Sequence, residues 1–150
     1  MGMMTTEMKH CLMATLLVAT VLWSGRSLAD APQLTLKVRT GQTAGQLADG
    51  TLLAQGTVTS QGGHNGFRVW SDATLNGAPQ RYTLSGQRNG ASRMHVRLVG
   101  RDWKPDTARS QGIVLRSGEY TATFSVELDG NQSLPVDTWP LQLQAAVLLP

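Results

Sequence analysis

The residues able to do chemistry are few and scattered. The chain has three histidines and one cysteine in 150 residues. His10 and Cys11 are neighbours close to the N-terminus, His64 lies in the glycine-rich stretch 62–66, and His95 alternates with Arg93 and Arg97. Nucleophilic catalysis needs a base within hydrogen-bond reach of the nucleophile and a third group to orient that base. Neither His64 nor His95 has a nucleophile or carboxylate at a spacing that suggests this. A metal site needs three or four ligands of His, Cys, Asp or Glu type, and two histidines without a cysteine are a poor start. The sequence predicts no enzyme, no catalytic residue, no metal site and no cofactor. What does cluster is positive charge. Arg93, His95, Arg97 and Arg101, with Trp103 just beyond, line one strand face and its exit. They read as a contact surface for an acidic or sugar-bearing partner, or, more plainly, as a solvated strand face. Trp70 and Trp103 read as exposed anchors for recognition or, more plainly, as packing.

These residues have to be positioned by the rest of the chain, and its first thirty residues are a separate matter. Lys9 and His10 precede the apolar run Leu12 to Trp23, and a Ser24-Gly25-Arg26 exit leads to the small-x-small triplet Ser27-Leu28-Ala29. The run is shorter than the ~20 residues of a membrane-spanning helix. The pattern is that of a secretory signal cut after Ala29, the alternative being an uncut membrane anchor. Residues 1–29 are therefore expected to be a signal peptide and residues 30–150 a single domain of ordinary size. Cys11 falls inside the signal, so the mature chain has no disulfide to rely on. The net charge is +3, and loss of Lys9, Arg26 and Glu7 with the signal brings it to +2. So small a charge, without a basic footprint, argues against nucleic acid as a partner.

The mature chain alternates polar and apolar residues with period two, the pattern of half-buried antiparallel strands. Strands are predicted at 33–39, 51–60, 66–72, 80–86, 93–99, 118–128 and 137–149. Their inward rows are Leu34, Leu36 and Val38; Leu52, Ala54, Gly56 and Val58; Tyr120, Ala122, Phe124, Val126 and Leu128; and Trp139, Leu141, Leu143, Ala145 and Val147. Asp49-Gly50, Asn76-Gly77 and Asn89-Gly90 supply turn signals, the last in two-residue hairpin form. Residues 100–116 form the longest irregular stretch, with room for one helical turn. Short strands at such spacing mean an all-β sandwich or barrel. The last strand is apolar on both faces near its end, since Ala146 and Leu148 join the inward row. An exposed apolar edge recruits other chains. Either this strand is central, with neighbours already in place, or the domain lacks its final strand and a partner adds one.

The ordered set Leu47-Ala-Asp-Gly50, Gly66-Phe-Arg-Val-Trp70, Gln80-Arg-Tyr82, Gly100-Arg-Asp-Trp103 and Asp129-Gly-Asn-Gln132 resembles the invasin or tip-subunit family of Dr/Afa-type fimbriae, and within it the Saf fimbriae. The likeness runs over the whole mature chain. It implies an immunoglobulin-like sandwich lacking the final (G) strand, completed by donor-strand complementation from a partner. It implies four partners: a periplasmic chaperone, an outer-membrane usher, the fimbrial major subunit that gives the donor strand, and a host-cell surface receptor. The donor-strand groove would be lined by Leu34, Leu36 and Val38 of the first strand and Leu141, Leu143, Ala145 and Val147 of the last. Cutting after Ala29 leaves only Asp30-Ala-Pro ahead of the first strand. Such a chain accepts a strand and has none to give, which places it at a fibre tip on the cell surface. The family's disulfide falls here on Ser60 and Val147, and both cysteines are absent. The competing reading is a self-complete exported immunoglobulin-like module that binds carbohydrate or protein through Trp70 or Trp103.

Overall fold

Alternation of apolar and polar side chains builds sheets with one buried and one solvated face, and the computed structural model is all-β accordingly. It describes residues 3–6, 16–23, 32–39 and 44–150, the first two stretches by their backbone. The strands are β1 (Met3–Thr6), β2 (Leu16–Trp23), β3 (Gln33–Val38), β4 (Gly45–Leu47), β5 (Leu52–Thr59), β6 (Gly66–Ser71), β7 (Thr74–Leu75), β8 (Arg81–Ser85), β9 (Arg93–Val99), β10 (Lys104–Pro105), β11 (Ile113–Arg116), β12 (Thr121–Leu128), β13 (Gln132–Leu134) and β14 (Thr138–Leu148). One sheet runs β1-β2-β14-β6-β11-β10 and the other β3-β5-β12-β9-β8-β7, with β4 and β13 a separate pair. All pairings are antiparallel except β2 with β14.

The two sheets close on one core. Phe67, Val69, Ile113, Trp139, Leu141 and Leu143 come from the first sheet, and Leu34, Val58, Tyr82, Val96, Phe124 and Val126 from the second. This is an immunoglobulin-like sandwich, its parts supplied as the alternation predicts. The seven predicted strands are present with ends shifted by a few residues, and the differences have local causes. Leu52 is only half-buried, whereas Leu53 and Ala54 are both buried. A β-bulge, where Ala54 pairs with Val126 but Leu52 with Glu127, inserts one residue and swaps the phase. Tyr120 is 55 % exposed, because β12 starts one residue after it. Residues 100–116 hold no helical turn; they carry the short strands β10 and β11. Asn89-Gly90 is not a two-residue turn. Residues 86–92 make a longer loop between β8 and β9, wrapped around the buried carboxylate of Asp137, to which the N–H groups of Arg88 and Asn89 donate. Asn76-Gly77 opens a five-residue connection from β7 to β8, with Gly77 at φ +83°, but the hydrogen-bonded turn closes later, where the N–H of Arg81 donates to the Ala78 carbonyl.

Gly56 lies mid-strand in β5, where glycine normally weakens pairing. The reason is Phe124 across the ladder: a Cβ on Gly56 would fall 2.2 Å from the Phe124 ring. Gly56→Ala is therefore expected to cost about 1–3 kcal/mol by overpacking, read as a lower urea midpoint. Adding Phe124→Leu should recover part of that loss; an unchanged midpoint in Gly56→Ala would refute the contact.

Candidate functional site

The last strand decides the site. Pro140 aside, β14 offers a full ladder of backbone groups, and its inward row Trp139, Leu141, Leu143 and Ala145 is wholly buried. Its second half, from Leu143 to Leu148, pairs with β6. Its first half, from Thr138, pairs instead with β2, and the overlap is only Leu143 to Ala145. On the facing sheet, the edge strand β3 turns Leu34, Leu36 and Val38 into the same core. The structure thus brings the two apolar rows to one side of the sandwich, with β2 lying between β14 and β3. Val147, past the end of β2, is only partly buried. In register with Trp139, Leu141, Leu143 and Ala145 stand Leu17, Ala19, Val21 and Trp23. The strand that completes the sheet is therefore drawn from the N-terminal apolar run, and it runs parallel to β14.

Comparison with known proteins gives this arrangement a context. Residues 43–145 match the family of Enterobacteria AfaD invasin proteins. Protein AfaD of Escherichia coli is 30 % identical over 125 residues, covering 82 % of this chain and 84 % of its own length. The chain belongs to the AfaD invasin family. Protein AggB of Escherichia coli is 33 % identical over 106 residues, 70 % of this chain and 72 % of its own. The crystal structure of the Salmonella SafD adhesin is 47 % identical, with a TM-score of 0.76 over 79 % of this chain and 84 % of that one. A structure of AggB, described as the minor subunit of aggregative adherence fimbriae type I, gives 26 % identity and a TM-score of 0.71, over 79 % of this chain and 86 % of that one.

Within this AfaD-type sandwich the basic surface residues have separate fates. Arg93 is exposed and its guanidinium donates to the carbonyl of Gly90. His95 shares hydrogen bonds with Thr83 Oγ1 and Asn76 Nδ2. Arg97 is the hub of an ion cluster: Nη1 lies 2.8 Å from Asp49 Oδ1 and 3.1 Å from Asp129 Oδ1, and Nη2 3.1 Å from Glu127 Oε1. The N–H of Gly130, and then Arg97, hold the Asp49 carboxyl below the usual carboxylate range. Arg101 is exposed in the turn after β9. Trp103 is not on the surface. It is 8 % exposed, packs edge-on against Phe124 and donates Nε1–H to the carbonyl of Thr123 at 2.7 Å. That corrects its place beside Arg93, Arg97 and Arg101, since the chain crosses between sheets here and the indole plugs the crossing. Trp70 is half-buried under the Arg68 guanidinium, 4.1 Å from its ring centre. His64 is a structural residue, bonded to the carbonyls of Gly62 and Glu119 and packed on Phe67. Ser60 is buried, and its N–H donates to the Tyr120 carbonyl.

Two buried carboxylates were not legible as site residues. Asp106 takes Arg68 Nε at 2.7 Å and the N–H and guanidinium of Arg109. Asp137, immediately ahead of β14, accepts the N–H groups of Arg88, Asn89 and Thr138. Arg68, Arg88 and Asn89 lie tens of residues away in the chain, so only the fold announces these contacts. Burial alone would raise the Asp137 pKa, but the N–H donors of Arg88, Thr138 and Asn89 outweigh it and hold the carboxyl below its ordinary value. A group with a depressed folded-state pKa stabilises the fold above the unfolded pKa of about 4 and loses that contribution as pH falls through the folded pKa. Asp137→Ala should cost about 1–3 kcal/mol near neutral pH, and the gap from the wild type should narrow in acid, below the unfolded carboxylate pKa of about 4. Urea unfolding near neutral pH and in acid reads this; a gap that stays as wide in acid would show that the carboxylate is not the anchor.

Proposed function

We propose that this chain is the tip subunit, an adhesin or invasin, of a chaperone-usher surface fibre, and that β14 and β3 frame the slot for a partner's donor strand. The observation that carries this is the strand beside β14. Its place is taken by residues 16–23, a segment that reads as part of a cleavable secretory signal. Removal of residues 1–29 leaves Thr138 to Gln142 without a strand neighbour and uncovers the row Leu141, Leu143 and Ala145 facing Leu34, Leu36 and Val38, with Val147 at the far end. An extended chain with apolar residues at alternate positions restores both the ladder and the core. Membership of the AfaD invasin family and likeness to the SafD adhesin support a fimbrial setting. A periplasmic chaperone would hold the slot during transit, an outer-membrane usher would pass the chain outwards, and the fimbrial major subunit would fill the slot at the cell surface. Contact with a host-cell receptor is assigned to the exposed face of the domain, of which Arg93 and Arg101 are exposed members outside any ion pair among the described residues, whereas Arg97 is committed to its carboxylates.

The competing reading is a self-complete binding module, and one comparison separates them. Residues 30–150 alone should self-associate or melt at low temperature, while the 150-residue chain with its apolar run retained should be more stable. A synthetic peptide of alternating apolar residues from a neighbouring fimbrial subunit should raise the melting temperature of 30–150. At a hundred times its Kd it contributes about 2.7 kcal/mol. Leu143→Asp should abolish that gain. A stable monomer of 30–150 that ignores the peptide would overturn the proposal.

A further inference from the structure

A second pair of unpaired strand edges lies away from the slot, beyond β14 and β6 at the β11 end of the first sheet. The strand β12 pairs with β5 from Thr121 onward but with β9 only from Ser125. The N–H of Ser60 donates to the carbonyl of Tyr120, which fixes the ladder phase: even-numbered residues of β12 bond to β5 and odd-numbered ones face away. The backbone N–H and C=O of Thr121 and the N–H of Thr123 therefore face away from β5, and the Thr123 carbonyl already accepts the Trp103 indole there. The same logic holds for β11. Ser117 N–H bonds the Asn65 carbonyl, so Arg116 directs its backbone groups away from β6, past the end of β10, which reaches only to Lys104 opposite Val114. Between these two edges is a cleft of about 570 Å³, floored by Trp103, within the range of ligand pockets.

The rim is charged. Arg101, Lys104 and Arg116 line it together with Asp102 and Glu119, and among the described residues none of the five forms an ion pair. The turn that builds one lip is strained: Asp102 has φ +67°, a left-handed conformation rare outside glycine, and strain of this kind is retained at functional sites. Gly100 is required there because a Cβ would lie 2.4 Å from the Trp103 ring.

We propose that this cleft binds an extended, acid-bearing peptide segment of a partner protein, which adds to the edge of β12 through the Thr121 backbone and the Thr123 N–H. Unpaired backbone donors and acceptors on two walls select an extended backbone. The excess of unpaired cations selects acidic side chains on it. Trp103 is excluded as a sugar-stacking platform because its ring is packed and its N–H is committed to Thr123. The proposal gives a substrate class to the adhesive role and stands apart from strand donation at β14.

The test uses the ¹⁵N-labelled 150-residue chain, in which β2 fills the slot beside β14. The probe is a capped peptide alternating valine and glutamate. Its lysine counterpart and a version N-methylated at alternate residues serve as controls. Expected are shifts of the Thr121, Thr123 and Arg116 amides and of the Trp103 indole N–H. The lysine peptide should bind about tenfold more weakly, the scale of reversing a few exposed ion contacts. The N-methylated peptide should not bind. Arg101→Glu together with Arg116→Glu should reverse the charge preference while the rest of the spectrum stays in place. Shifts confined to β14 and β3, equal binding of the N-methylated peptide, or no shift at Thr121 would each overturn it.

Discussion

The structure depends on covering one side of β14. Its inward row is buried as deeply as anything in the molecule, yet its first half, Thr138 to Gln142, has no strand neighbour except β2. Unpaired backbone groups beside buried apolar side chains are costly, so this side of the sheet cannot be left open without loss. Everything else in the sandwich is arranged so that the first half of β14 stays in place. At its start, Asp137 gathers three N–H groups and ties the strand to the β8–β9 loop, to which Thr138 also returns a carbonyl bond from Gln87. At its end, β6 pairs it through Leu148. Apart from β2, the strand is held at its start by Asp137 and over its second half by β6, and is open from Thr138 to Gln142.

Elsewhere the polar interactions of this fold tie strands to turns. Arg97 joins the Asp49-Gly50 turn to the Asp129-Gly130 turn through three carboxylates. Asp106 joins β6 to the β10–β11 loop through Arg68 and Arg109. Without cysteine pairs, the loops at the two ends of a small sandwich need other ties, and partly buried ion clusters with fixed geometry are one means. Exposed ion pairs contribute little. Here Arg97, Asp129, Arg68 and Asp106 are sheltered and repeatedly bonded, which is what lets them define loop position.

Much of the fold was legible because period two is a strong signal wherever one face is buried. The rows at 34–38, 122–128 and 139–145 and the turn at Asp49-Gly50 could be read directly. The resemblance to Dr/Afa-type tip subunits also named the family correctly. What could not be read is what depends on distant partners. The bulge at Leu53 shifts the phase through its pairing with β12. Trp103, which follows a row of arginines, reads as a surface anchor or, more plainly, as packing; the chain changes sheets there and turns the indole inward, so packing is what the structure shows. Asn89-Gly90 is a strong local hairpin signal that loses to the demands of a buried carboxylate 48 residues away.

The occupant of the slot was illegible for a different reason: the sequence criteria for a secretory signal and for a donor strand overlap. Both require a short apolar run without charge. In residues 16–23 every position opposite a buried β14 residue is apolar, so the run satisfies the slot although its direction is parallel. In the proposed slot, the match between β2 and β14 rests on hydrophobicity and backbone pairing more than on side-chain identity. Specificity must then come from how well an occupant packs against Trp139 and Leu141 and from how many ladder bonds it makes, and such differences set the order of exchange among occupants. Under the proposed strand exchange, the first occupant leaves the groove and a better one follows. Cleavage of the apolar run is one way to vacate it, and competition from a strand with a longer register is another.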